Sequence, residues 1–301
     1  MKNLKLAAVC LSCLTMTGCS ALNFSVEGLI NAPKLTSEQS EIHQALIESV
    51  GSNITLKYPK NGEYRSAYVI ANIDDEPTDE AMVFYEYTSN GSEEDGLRVN
   101  ILDKDEDGKW YSVKELAGAG TDIDQVIISP MGSNNQTDVF VGYQNLTNDE
   151  KTMEIYSYTD GDFKRVALDT YSVLEPLDIN NDGYIELITI QRSTNNDTGA
   201  VTAKASMLNM KNNEITRGEN VDMCDNVTSY VSSKTGMLDS GRRAIFIDGL
   251  TADGKLQTEI IYYRYSGLQN PMQLRSEKLL PLCTRPAGYY SEDMDGDGDV
   301  E

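Results

Sequence analysis

LEPLDINNDGYIELITIQ, residues 174–191, is the stretch from which the fold is read. Asp178, Asn180 and Asp182 stand two residues apart, Gly183 follows, and Glu186 opens an apolar run. Short oxygen-bearing side chains at alternate positions of a tight turn converge on one point, as a hard cation requires. Gly183 permits the backbone reversal that brings them together. An EF-hand would need a glutamate at loop position twelve and then a helix. That position is Thr189, and Ile185 to Ile190 is β-branched and strand-like. The stretch is an acidic turn feeding a strand.

The pattern recurs outward from this centre. The last residues carry Asp293, Asp295 and Asp297, then Gly298 and Glu301. Near the start, Asn72, Asp74 and Glu76 lead to Glu80 and the run Ala81-Met82-Val83-Phe84-Tyr85, with Pro77 in place of the glycine. Weaker copies are Asn134 and Asp138 before Val139-Phe140-Val141, and Asp253 and Glu259 before Ile260-Ile261-Tyr262-Tyr263. The closing acids recur at intervals of about 40 to 75 residues, long enough for several strands per unit, which points to propeller blades rather than a solenoid.

These residues resemble the FG-GAP and VCBS repeats of integrin-α-like β-propellers. The resemblance covers roughly residues 65 to 301 and is strongest at Asp178–Glu186 and Asp293–Glu301. It implies an all-β chain whose residues 53–301 form propeller blades; residues 36–52 before them read as a short helix. It also implies calcium held by Asp178, Asn180, Asp182 and Glu186, by Asp293, Asp295, Asp297 and Glu301, and more weakly by Asn72, Asp74, Glu76 and Glu80. The last copy stops at Glu301 with no strand after it. The expectation is therefore a chain truncated at its C-terminal end, with blade counts as lower limits.

The N-terminus carries a different signal. Lys2 and Lys5 precede an apolar run from Leu6 to Met16 that is too short to span a membrane as a helix. Met16-Thr17-Gly18-Cys19 resembles a bacterial lipobox, which implies a lipoprotein signal peptide over residues 1–18 and lipidation of Cys19. Residues 19–35 then read as a lipidated tether, and the expected location is the extracytoplasmic face of a cell membrane. After it, Thr36 and Gln39 suit a helix capping box, Ile42, Ala45, Leu46 and Val50 make one apolar face, and Gly51 ends the helix.

Composition narrows the function. With 48 acidic residues against 25 basic ones, the net charge of −23 speaks against a basic nucleic-acid surface. His43 is the single histidine, so a histidine metal site or a serine triad has almost nothing to draw on. Asp103 to Gly108 ends in an Asp-Gly pair without a closing acid and reads as a hairpin turn, as do Asp160-Gly161 and Asp253-Gly254. Cys224 and Cys283 follow the leader and could pair or stay apart. No catalytic constellation stands out. The expected function is a calcium-stabilised binding module for a protein or glycan partner. A scaffold of a membrane complex and an enzyme acting on extracellular polysaccharide are the alternatives.

Overall fold

The computed structural model describes residues 35–88, 96–130, 137–145, 150–194, 197–211, 214–224, 227–238, 241–252, 254–270 and 283–286. The leader, Cys19, the tether, Asn134, Asp253, the Asp293–Glu301 copy and the side chain of Cys283 lie outside them. The chain divides into Met1–Glu41 and Ile42–Glu301. In the first unit Thr36 and Gln39 form a reciprocal cap. The Gln39 amide donates to Thr36 Oγ1 and the Thr36 amide to Gln39 Oε1, both at 3.1 Å. This cap starts α1 (Ser37–Val50).

The second unit is all-β among its described elements beyond α1, with four antiparallel sheets in chain order. The first holds β1 (Ile54–Leu56), β2 (Tyr68–Ala71), β3 (Glu80–Tyr87), β4 (Leu97–Lys104) and β5 (Trp110–Ala117). Both β1 and β2 pair with β3, at its far and near ends, so together they fill one strand position. The second sheet is β6 (Asp122–Pro130), β7 (Thr137–Gln144), β8 (Lys151–Thr159) and β9 (Asp162–Tyr171). The third is β10 (Val173–Leu177), β11 (Glu186–Thr194), β12 (Val201–Lys211) and β13 (Glu214–Asp222). The fourth is β14 (Val227–Leu238), β15 (Arg242–Thr251) and β16 (Lys255–Arg264), with β17 (Gly267–Gln269) and β18 (Cys283–Pro286) sharing its last position. Each sheet is thus a four-position meander. The connections are short because antiparallel neighbours need only a turn. At β8–β9 that turn is Asp160-Gly161, both residues at positive φ, as a two-residue hairpin loop demands.

Period-two side-chain alternation places the core between the sheets. On β3, Met82 and Phe84 join Val139, Val141 and Tyr143 of β7, filling the space between the first and second sheets. Phe140, on the opposite face of β7, packs with Leu174 and Leu187 of the third sheet. Ile188 and Ile190 turn the other way, onto Ile245 and Ile247 of the fourth. The second strand of each sheet therefore lies between two apolar layers, which is why these strands read as near-continuous apolar runs. Ala81, Val83 and Tyr85, the remaining face of the first sheet, are covered by Ile42, Ala45 and Leu46 of α1. His43 accepts or donates a 2.8 Å hydrogen bond with the Tyr68 hydroxyl on this surface, a packing role.

Candidate functional site

The turn between β10 and β11 holds Asp178, Asn180, Asp182 and Glu186 together through hydrogen bonds. Asn181 and Gly183 both take positive φ, which folds the chain back on itself. Asp178 accepts from the Asp182 amide at 3.0 Å and from the Gly183 amide at 3.2 Å. Asn180 Oδ1 accepts from the Asp182 amide, and Asp182 Oδ1 from the Tyr184 amide. Glu186 Oε2 accepts from the Ile179 amide at 3.0 Å. Asn180 Nδ2 donates to both Asp182 Oδ2 and Glu186 Oε1 at 2.9 Å, bridging two carboxylates that would otherwise repel each other. Arg243, from β15, pairs with Asp178 at 3.0 Å and also donates to its carbonyl. Burial raises the Glu186 carboxyl above the ordinary range, an effect partly offset by the Ile179 amide.

The residue types suit an oxygen-loving cation, but their oxygens are engaged by protein donors. Among the described residues no group of three or more histidine, cysteine, aspartate or glutamate side chains is placed to hold a metal ion.

The Asn72–Glu80 turn shares the closing device. Glu80 Oε2 accepts from the Ile73 amide at 2.8 Å, again seven residues back. Here Asn72 Nδ2 donates to the carbonyls of Glu76 and Thr78 instead of bridging carboxylates. Asp74 accepts from the Glu76 amide, as an ordinary Asx turn. Glu80 is 2 % exposed, and its Oε1 has no hydrogen-bond partner among the described residues. Burial, reinforced by the nearby Asp74 and Asp103 charges, pushes its carboxyl up to about 7. The weaker copies diverge further. Asp138 opens β7 as expected and accepts from the Ser157 hydroxyl. Glu259, however, lies within β16, the third strand of its sheet, opposite Ile247. It does not close a turn between first and second strands; it accepts from the Cys224 amide and from Asn270. The expected spacing fails there because the repeat period was read from an acid followed by apolar residues, a pattern a third strand also produces.

A second site arises where the opening strands come together. A cavity of about 660 Å³ is lined by residues 61–65, by β6, β10 and β14, and by Lys151 at the start of β8. Asp124 on β6 is 2 % exposed yet fully partnered. It accepts from Asn61 Nδ2 at 2.8 Å, from the Tyr171 hydroxyl at 2.6 Å and from Lys151 Nζ at 2.8 Å. Such saturation offsets the cost of burying a carboxylate. Gly142, across the sheet on β7, makes it possible, because a Cβ there would lie 2.1 Å from the Tyr171 hydroxyl. Gln125 donates to the Leu174 carbonyl at 2.8 Å, tying β6 to β10. Glu175, also on β10, receives a hydrogen bond from the Ser233 hydroxyl of β14. Burial pushes its carboxyl above the usual carboxylate range.

These residues were not singled out from sequence. Asp124, Lys151, Glu175 and Ser233 belong to four strands, and only the packing of the sheets brings them to one cavity. A faint signal existed in Ile123-Asp124-Gln125-Val126-Ile127-Ile128, where two polar residues interrupt an apolar strand.

No protein-family model matches the chain, and no curated protein matches it. Among solved structures, it is similar to a Bacteroides uniformis protein assigned as a 6-phosphogluconolactonase. That match has 12 % identity over 79 % of this chain and 83 % of the other, with a TM-score of 0.29. At that score the likeness carries nothing about chemistry or topology.

Proposed function

We propose that the protein is a membrane-anchored, extracytoplasmic lipoprotein whose sheets are blades of a β-propeller serving as a binding module. The observation that carries this reading is the cavity: the opening strands of successive meanders, β6, β10 and β14, all line one space with polar side chains. Meanders packed face to face in chain order support the blade assignment. The anchor rests on the sequence around Cys19, with the extracytoplasmic face as its location. Asp124 has its oxygens engaged by three donors, which suits holding the strands of the cavity together more than acting on a bond.

Calcium belongs to this reading as a structural ion at Asp178, Asn180, Asp182 and Glu186, and by the same pattern at Asp293, Asp295, Asp297 and Glu301. The Asn180 amide between Asp182 and Glu186 supports it, since a hydrogen-bond donor stands there between two carboxylates. A cation would neutralise that pair more completely.

Photocrosslinking tests the binding module. A small aliphatic photoreactive residue, close to valine in size, replaces Val231, exposed at the cavity rim, in the full membrane-anchored chain; a control replaces Leu168, exposed on β9. A discrete adduct from position 231, absent from 168, is expected. Identical patterns from both positions would overturn the proposal.

A further inference from the structure

The lining of the cavity permits a statement about what it takes. Its ionisable residues balance, with Glu63, Asp124 and Glu175 against Arg65, Lys151 and Lys234. A ligand with a net charge would therefore gain little from the wall as a whole. Asp124 and Lys151 are committed to each other, so neither is available as a point charge. Glu175 differs. It lies on the wall, and the Ser233 hydroxyl donates the one hydrogen bond it receives among the described residues. A carboxylate can accept more than this one bond, and the remaining capacity suits a ligand hydroxyl.

The backbone adds to this. β6, β10 and β14 are each the outer strand of their sheet, pairing on one side with β7, β11 and β15. The other side of an outer strand presents N–H donors and C=O acceptors, of which the Asp124 carbonyl already accepts from the Lys60 and Asn61 amides and the Leu174 carbonyl from Gln125. Ser172 and Thr235 add hydroxyls that both donate and accept, whereas the Ser232 hydroxyl already donates to Asp248. Tyr64 and Tyr230 line the same wall, backed by the core residues Val126 and Val173. The volume of about 660 Å³ falls within the roughly 300–1,000 Å³ of small-ligand sites. A wall that combines hydroxyls, amides, one receptive carboxylate and aromatic side chains, without net charge, matches a molecule with a hydroxyl on nearly every carbon and apolar C–H faces.

We infer that the cavity between residues 61–65, β6, β10 and β14 binds a short neutral oligosaccharide, with Glu175, oriented by Ser233, accepting hydrogen bonds from its hydroxyls. This rests on the binding-module reading and names the ligand class of the same site. Val231 and Lys234 at the rim would meet the sugar as it enters.

The test is isothermal titration of the full chain with the trisaccharides of glucose, xylose and N-acetylglucosamine. Trigalacturonate and a lysine tripeptide serve as charged controls. One neutral trisaccharide should bind with a Kd on the order of 10⁻⁵ to 10⁻³ M. Glu175→Gln keeps the shape and removes the stronger acceptor; it should weaken that binding about tenfold, the usual effect of losing a charge-assisted hydrogen bond. Val231→Trp changes an exposed rim residue, so it should leave the melting temperature alone while blocking entry. Binding of no neutral trisaccharide, tighter binding of either charged control, or binding untouched by both variants would overturn the inference. If the photocrosslink at position 231 forms while no trisaccharide binds, only the ligand class fails. If neither occurs, the binding-module reading fails with it.

Discussion

Between Ala71 and Glu80 in the first sheet, and between Leu177 and Glu186 in the third, the chain makes the same connection and finishes it differently. Both turns lead from a short opening strand into a second strand buried on both faces. Both are closed by a glutamate whose Oε2 takes the backbone amide seven residues earlier. In the third sheet, Gly183 and the left-handed Asn181 let three further oxygen-bearing side chains fold over the closing acid, and Asn180 bridges to Glu186. In the first sheet, Pro77 stands where the glycine would be, Asn72 turns to backbone carbonyls, and Glu80 Oε1 is buried without a donor among the described residues. The closing hydrogen bond is thus the structural constant of the turn, and the cluster of ligand-type side chains is an addition that one family of backbone angles allows.

The comparison can be broken most severely at the closing acid of the third-sheet turn. Glu186→Ala strands the buried Ile179 amide and frees Asn180 from one partner. Urea unfolding at pH 7 should show a loss of about 3 kcal/mol. An effect under about 1 kcal/mol would mean that the closing bond does not hold the turn.

The first-sheet turn should respond to pH. Burial pushes the folded Glu80 carboxyl up to about 7, against an ordinary 4.5. Between those values the folded chain holds a proton that the unfolded chain has lost, so stability is full below about pH 4.5 and declines as pH rises towards 7. The loss should be on the order of 2 kcal/mol, and Glu80→Gln should remove that part of the slope and stabilise the protein at pH 8. A Gln variant less stable than the parent at pH 8 would show that the carboxylate has a partner in solution.

Calcium sharpens the contrast. At ten times the dissociation constant, binding stabilises by about 1.4 kcal/mol, or roughly 2–4 °C in melting temperature for a chain of this size. Asp182→Ala should abolish a shift arising at the third-sheet turn, whereas Asp74→Ala should leave it in place. Equal loss in both variants would place the two turns on the same footing.

The smallest effect should come from Arg243, whose side chain is 41 % exposed beside Asp178. Arg243→Gln should cost about 0.5 kcal/mol, because solvent screens a half-exposed ion pair. It should also strengthen calcium binding by removing a cation that competes for Asp178. Weaker calcium binding in that variant would show that Arg243 orders the turn rather than opposing the ion.

By itself the sequence determined the local elements. The apolar runs Ala81 to Tyr85 and Val139 to Tyr143, the Asp-Gly turns and the Thr36–Gln39 cap are short-range patterns, written in residues a few positions apart. The acidic turn at Asp178–Glu186 was legible for the same reason. Only the tertiary structure decided that Glu259 belongs to a third strand, because strand order within a sheet depends on pairing and not on the residues next to an acid. It alone assembled the cavity, since Asn61, Asp124, Lys151, Glu175 and Ser233 are scattered over the chain and meet only when the sheets pack. Gly142 shows the physical reason most plainly. Nothing beside it in the chain calls for a glycine, yet the hydroxyl of Tyr171, brought in from β9 to reach Asp124, occupies the space a side chain would need.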